Sequence, residues 1–136
     1  MIVDALYGNI LSTSHSHIVF MVNTGGQYFE GFAGIISDRY WPELASMMRR
    51  ELGDVLTERV GSRTFHAIVC HSVGIDCWRH APRYVEECLN KLDVPGDETL
   101  GVVLAVSGPV VLPGPDMFAI IGAIARSEKR VIIYAP

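Results

Sequence analysis

Apolar and polar positions alternate along this chain in blocks that predict strands and helices in turn. Two of the blocks, residues 18–22 and 100–106, are continuous apolar runs, which is typical of strands buried on both faces of a sheet. Residues 55–60 and 64–70 form a pair joined by a turn at Gly61. Six strands are predicted in all, at residues 2–6, 18–22, 55–60, 64–70, 100–106 and 130–134.

Three stretches between these strands have the apolar spacing of helices. Residues 42–53 start at a proline and have apolar side chains on one face, with Gly53 as the C-cap. Residues 82–92 form a second amphipathic helix. Residues 117–126 are apolar nearly all round, which predicts a well-buried third helix.

Strands that alternate with helices predict an α/β fold. We expect a three-layer α/β/α arrangement around a mixed, largely parallel central sheet, with the 55–70 hairpin as its antiparallel part. The 136 residues are the length of one ordinary domain, so residues 1–136 are expected to form a single unit.

Composition excludes several classes of protein. Hydrophobic residues make up 49% and charged residues 19%, which excludes general disorder. The net charge of −4 disfavours general nucleic-acid binding. Three cysteines do not make a disulfide framework, and no apolar run approaches the ~20 residues of a membrane helix. We therefore expect a cytoplasmic protein with no membrane association.

Two glycine-rich segments follow the apolar strands. Residues 23–34 come after strand 18–22, and residues 107–115 come after strand 100–106. Glycines let backbone N–H groups approach an anion, so the two segments could hold a phosphate or diphosphate between them, or they could be simple tight turns. The sequence has no P-loop, no complete G-x-G-x-x-G and no G-x-S-x-G motif.

The order of short motifs resembles a macro domain. The motifs are Gly8-Asn9-Ile10 after a first strand, Val22-Asn23 at the end of the next, Gly31-Phe-Ala-Gly-Ile-Ile36 opening a helix, and Ser107-Gly108 after a late apolar strand. That family binds ADP-ribose and related metabolites. The spacing after Asn23 is most similar to the branch that contains terminal ADP-ribose glycohydrolases and ADP-ribose 1″-phosphate phosphatases.

The resemblance implies a pose for the ligand. Asn9 takes the position of an acid that accepts from the adenine amine, Asn23 lies near the distal ribose, and Tyr134 lies where an aromatic ring stacks on adenine. Residues 31–35 and 107–111 form the two diphosphate loops. The implied substrate-binding residues are Asn9, Ile10, Asn23, Gly25, Gly31, Ala33, Gly34, Ile35, Ser107, Gly108, Pro109, Val110, Val111 and Tyr134.

The sequence departs from the family pattern at catalytic positions. Gly26 replaces the second asparagine of the usual Asn-Ala-Ala-Asn motif. His71 stands where the glycohydrolase branch has a lysine, and Asp116 is the acid nearest to its catalytic aspartate. Either residue could transfer protons. Alternatively, His71 is a half-buried histidine bonded to backbone, and Asp116 is the N-cap of the third helix.

A metal site is a weaker alternative. Cys70, His71, Cys77 and His80 lie close in sequence, but neighbours on a strand point to opposite faces, so no metal and no other cofactor is expected. His15 and His17 are expected in a solvated loop. Trp78 could reach a ligand or cover the core.

Three functions follow from the resemblance. The first is binding of ADP-ribose or a related nucleotide, possibly with hydrolysis of a 1″-phosphate or an ADP-ribosyl ester. The second is a non-catalytic reader of the same ligand. The third is a degenerate domain that serves as an interaction module, as a homo-oligomer for example, because the 107–115 segment is rich in proline and apolar residues.

Overall fold

A computed structural model of the chain describes residues 1–25, 31–46, 50–72, 78–104 and 114–135. Its strands are β1 (Ile2–Tyr7), β2 (His17–Asn23), β3 (Val55–Val60), β4 (Arg63–His71), β5 (Thr99–Val103) and β6 (Arg130–Ala135). Its helices are α1 (Gly31–Arg39), α2 (Ala81–Lys91) and α3 (Gly114–Arg126), with short 3-10 helices at Ile10–Ser12 and Pro42–Ser46. All six predicted strands are confirmed.

The strands form one mixed sheet in the order β1-β6-β5-β2-β4-β3. Every neighbouring pair is parallel except β3 and β4, which form the predicted antiparallel hairpin. Gly61 begins its turn with a φ of +67°, a left-handed conformation that glycine adopts without strain. The edge position predicted for β1 is confirmed.

Helices cover the sheet on both faces, which confirms the three-layer fold. Along β2, Val19 and Met21 pack on the side of α2 and α3, whereas Ile18, Phe20 and Val22 pack on the side of α1. All five side chains are buried. A central strand covered on both faces has no polar face, and this explains the uninterrupted apolar run in its sequence.

The helix predicted over residues 42–53 is wrong. The chain forms only a 3-10 helix at Pro42–Ser46, and residues 47–49 lie outside the described part. Gly53 does not cap a helix: its backbone N–H donates to the carbonyl oxygen of Val69 at 2.8 Å. This hydrogen bond continues the ladder between β3 and β4, so pairing with the sheet takes precedence over the local helical pattern.

The helix that follows β2 begins earlier, at Gly31, as the resemblance implied. Within this helix, the side chains of Ala33 and Ile36 are buried against the sheet. Because these positions are three residues apart, they lie on one face of a helix. Packing of that face stabilises a segment whose glycines alone disfavour helix formation.

The third helix is less buried than its composition predicts. Ile120, Ala123 and Ile124 are buried, but Phe118 is 78% exposed. A helix in an outer layer has only one face against the sheet, so its remaining apolar side chains face outward. In the described part of the chain, no helix is long and apolar enough to cross a membrane.

Candidate functional site

The topology predicts a crevice at the carboxyl edge of the sheet, between β2 and β5. Strands β2 and β5 are parallel neighbours, with Ile18 opposite Gly101 and Val19 opposite Val102. The chain leaves β2 toward α1 on one face and leaves β5 toward α3 on the other. In open α/β sheets this reversal of direction is where ligands bind, and here the amino ends of two helices flank it.

Predicted site residues from four strands reach this edge. Asn9 follows β1, Tyr134 is the penultimate residue of β6, Asn23 ends β2 and His71 ends β4. Neighbouring strands lie about 4.8 Å apart, so β1 and β4, four steps apart, are separated by roughly 19 Å. The edge is therefore long enough for an extended ligand rather than a single small ion.

Asn9 and Ile10 have different environments although they are adjacent. The Asn9 side chain is exposed, and its Oδ1 accepts a hydrogen bond from the backbone N–H of Leu11 at 3.0 Å. It thereby caps the first 3-10 helix. Ile10 is only 2% exposed and belongs to the core. The amide nitrogen of Asn9 is the part of this turn that can still donate to a ligand.

Asn23 shapes the turn after β2. Its Oδ1 accepts from the backbone N–H of Gly25 at 2.8 Å, and the N–H of Thr24 donates to the carbonyl oxygen of His71 at 3.1 Å. Asn23 and His71 are also register partners across β2 and β4. The structure thus brings these two predicted residues together.

The first turn of α1 contributes small and apolar groups to the crevice. Gly31 has a φ of +59° and is exposed, Gly34 is half-buried, Ala33 is buried and Ile35 is 40% exposed. No acidic residue occurs in this turn. Within the helix, therefore, no side-chain charge opposes an anion at the positive end of the helix dipole.

His71 is a neutral, buried histidine. It is 9% exposed, and burial lowers its pKa to about 4 although the nearby carbonyl oxygen of Ser72 opposes the shift. Its Nδ1 lies 3.2 Å from that oxygen, and its ring stacks on Trp78 with ring centroids 3.9 Å apart. At neutral pH it carries no positive charge, so it does not reproduce the lysine of the glycohydrolase branch.

Asp116 lies in the first turn of α3, which begins at Gly114. It is half-buried and is not the N-cap, so that alternative is wrong. The candidates Ser107, Gly108, Pro109, Val110 and Val111 lie outside the described residues.

Tyr134 is 6% exposed, which leaves little of its ring for a ligand to stack on. Its hydroxyl lies 2.7 Å from Nε2 of His15, and burial raises its pKa. The expectation that His15 and His17 are solvated is wrong: both are half-buried, and Nδ1 of His17 lies 2.9 Å from Nε2 of His66. The serines and threonine around these histidines are typical of a solvated loop, so no sign of these tertiary hydrogen bonds is visible in the sequence.

The cysteines show no sign of reactivity in the described residues. Cys70 is fully buried, and burial raises the pKa of its thiol well above the usual value. Burial also raises the pKa of Cys88 to about 12. Cys77 lies outside the described residues. Among the described residues, no three or more His, Cys, Asp or Glu side chains are grouped so that they could hold a metal ion.

Trp78 is the residue whose place the sequence left open. It is 4% exposed, packs in the core beside α2 and stacks on His71. Its Nε1 is buried with no hydrogen-bond partner in the part of the chain that the structure describes. No pattern in the sequence pairs it with His71, because the contact depends on the packing of β4 against the residue that precedes α2.

Comparison with known proteins identifies the architecture. No family model matches the sequence, and no curated protein is significantly similar to it. Among solved structures, the macrodomain of Thermus aquaticus DarG is 20% identical, with a TM-score of 0.65 over 100% of this chain and 99% of that chain. The macrodomain of Mycobacterium tuberculosis DarG is 15% identical, with a TM-score of 0.70 over 100% and 98%.

A third similar structure is the Trypanosoma brucei macrodomain in complex with ADP. It is 16% identical, with a TM-score of 0.65 over 97% of this chain and 62% of that chain. These identities are low, but the matches to both DarG macrodomains extend over the whole chain. The six-stranded mixed sheet and its three helices therefore have the macrodomain fold.

Proposed function

We propose that this protein binds ADP-ribose or a closely related nucleotide diphosphate in the crevice between β2 and β5. The observation that carries the proposal is the reversal of chain direction at this point, with α1 and α3 starting on opposite faces of the sheet. Two helix amino ends at one crevice favour a ligand with a central diphosphate. The bound ADP of the Trypanosoma brucei macrodomain supports the same ligand class.

The ligand would extend along the carboxyl edge. Its diphosphate would lie at the first turn of α1, its base toward Asn9 and its distal ribose toward Asn23 and His71. The roughly 19 Å between β1 and β4 accommodates this arrangement. Residues 107–111 remain the second diphosphate loop by sequence alone.

Titration calorimetry with ADP-ribose tests the proposal, with AMP and ATP as comparisons. We expect a dissociation constant on the order of micromolar and a preference for ADP-ribose. The variant Ile35→Glu adds a carboxylate beside the diphosphate position and should abolish binding. Val3→Glu is the matched control, because Val3 and Ile35 are both 40% exposed and Val3 lies on the edge strand β1.

No binding of ADP-ribose at millimolar concentration by folded protein would refute the proposal. It would favour the interaction-module alternative, which a concentration-dependent molar mass in sedimentation would then support. Loss of binding in Val3→Glu as well would show that added charge, rather than its position, weakens the complex.

A non-catalytic reader is the form of this function that His71 favours. A residue that is uncharged at neutral pH and stacked on Trp78 supplies no proton and no positive charge to a leaving group. Hydrolysis of an ADP-ribosyl ester or 1″-phosphate remains a prediction. It is tested by product formation with the wild type, His71→Ala and Asp116→Ala: turnover lost in both variants, with ADP-ribose binding retained, would establish the enzyme.

A further inference from the structure

We propose that the outer edge of β1 is a pairing surface for a second copy of this chain, and that Asp4 keeps this surface closed in the wild type. This inference goes beyond the proposed function, because it concerns the edge of the sheet rather than the crevice between β2 and β5. It assigns to Asp4 the role of holding a backbone donor that a neighbouring strand would otherwise use.

The two edge strands of the sheet differ in charge. Strand β1 lies at one edge and β3 at the other, and among the described strands each has a neighbour on one side only. In β3, residues 57–59 are exposed and include Glu58 and Arg59. In β1, residues 3–7 are exposed and Asp4 is the only charged residue. Because charged side chains on an edge strand discourage pairing with another chain, β1 depends on a single carboxylate for this protection.

The backbone of β1 alternates between β6 and the open side. The N–H of Gly8, directly after β1, donates to the carbonyl oxygen of Ala135 in β6 at 3.1 Å. The register between the two strands is regular from residue 4 to residue 7. Residues two apart in a strand direct their N–H and C=O groups to the same side, so Asp4 and Leu6 face β6 like Gly8. The N–H of Ala5 therefore faces the open side.

Asp4 occupies this outward donor. Its Oδ1 accepts a hydrogen bond from the N–H of Ala5 at 2.8 Å, at an exposed position. Aspartate is unfavourable within strands, because its side chain competes for backbone hydrogen bonds. At the edge of the sheet this competition protects the strand, since the carboxylate holds the N–H that a neighbouring strand would need.

A second copy of β1 is the neighbour that fits this edge. Two copies related by a two-fold axis place their edge strands antiparallel. With Ala5 at the axis, each copy would donate the N–H of Ala5 to the Ala5 carbonyl oxygen of the other, and Asp4 would lie opposite Leu6 of the second copy. Pairing would also remove part of the exposed apolar surface of Val3, Leu6 and Tyr7 from water, which is favourable. In this alignment Asp4 is the group that opposes the dimer.

The carboxylate of Asp4 makes pairing unfavourable in the wild type. A second copy must break the hydrogen bond between Asp4 and Ala5, and it must take the charged group partly out of water beside an apolar side chain. A symmetric dimer incurs this cost twice, once in each copy. Removal of the carboxylate leaves a strand with no charge, an outward N–H and three exposed apolar side chains, which is typical of segments that pair with other chains.

Sedimentation equilibrium of the wild type, Asp4→Ala and Glu58→Ala, at concentrations from about 10 to 500 μM, tests the inference. We expect the wild type to stay monomeric and Asp4→Ala to dimerise, with a dissociation constant at least about tenfold below that of the wild type. Glu58→Ala is the matched control, because it removes the same charge from an exposed position on the other edge strand. It should stay monomeric.

The double variant Asp4→Ala/Ala5→Pro locates the interface. Proline removes the N–H of Ala5, which faces away from β6, so the sheet should stay intact while the pairing donor is lost. We expect this variant to be monomeric. Thermal melts establish that each variant is folded. If the proline prevents folding, Asp4→Ala/Tyr7→Lys takes its place, because the Tyr7 side chain is 92% exposed and a lysine there returns a charge to the edge.

Three results would overturn the inference. The first is an Asp4→Ala variant that stays monomeric over the whole concentration range. The second is equal dimerisation of Glu58→Ala, which would make the net charge of the protein the cause. The third is a dimer of Asp4→Ala that persists in the folded double variant, because its contact would then lie elsewhere than at the N–H of Ala5.

Discussion

Replacement of Gly101 by alanine tests how closely the first loop packs on the sheet. Gly101 lies on the buried strand β5, paired with Ile18 and Ile132. A Cβ at this position would lie 2.6 Å from Cδ1 of Ile10 and 3.2 Å from Cδ2 of His15. The first distance is too short for two carbon atoms, so the end of the Ile10 side chain must move within the core.

The loss of stability in Gly101→Ala depends on the close contact with Cδ1 of Ile10. Inserting a methyl group into a packed core costs about 2 kcal/mol of the free energy of unfolding. Ile10→Val removes Cδ1, the atom in the way, and by itself costs about 1 kcal/mol. The double variant should lose about 1.5 kcal/mol instead of the additive value of about 3, since the remaining contact with His15 needs only a small adjustment.

Urea unfolding of the wild type, both single variants and the double variant measures this coupling. Gly96→Ala is the control: nothing lies within 4 Å of its added Cβ, so its stability should stay within about 0.5 kcal/mol of the wild type. Additive losses in the double variant, or no loss in Gly101→Ala, would refute the packing argument.

Burial lowers the pKa of His66 and of His71 to about 4, so the unfolded chain binds more protons as the pH falls below 6.5. The free energy of unfolding should therefore fall by up to about 3 kcal/mol per histidine between pH 6.5 and 4; a urea midpoint independent of pH would contradict this. Arg63→Ala removes two hydrogen bonds, of 3.2 and 2.6 Å, to backbone oxygens of the 11–13 loop. It should lower the free energy of unfolding in urea by about 2 kcal/mol. A loss below about 0.5 kcal/mol would show that these bonds do not stabilise the loop. Leu89→Ala in the core should cost about 3 kcal/mol and Phe118→Ala, 78% exposed, less than about 0.5; similar melting temperatures would contradict the core assignment.

Segments that pack by a regular repeat were predictable. The strands at β2 and β5 could be recognised because a strand covered on both faces must be apolar throughout. Helix α2 could be recognised because Val85, Cys88 and Leu89 are spaced to fall on its one buried face. In both cases the pattern reflects contacts that repeat with the backbone.

Other segments depend on contacts between distant parts of the chain. The helix expected after Pro42 does not extend to Gly53, because Gly53 pairs with the sheet instead. The histidines expected in solvent form hydrogen bonds with residues of other strands. Such partners are up to 119 residues apart, as for His15 and Tyr134. No local periodicity carries this information.

The sequence by itself determined the class of fold and the two glycine-rich segments after β2 and β5, because periodicity and turn chemistry are local properties. Only the tertiary structure decided the protonation state of His71. The sequence shows a histidine and a tryptophan seven residues apart. Folding buries both, stacks them and leaves His71 neutral with its proton on Nδ1. Protonation depends on burial and on hydrogen-bond partners, and these exist only once β4 and α2 have packed together.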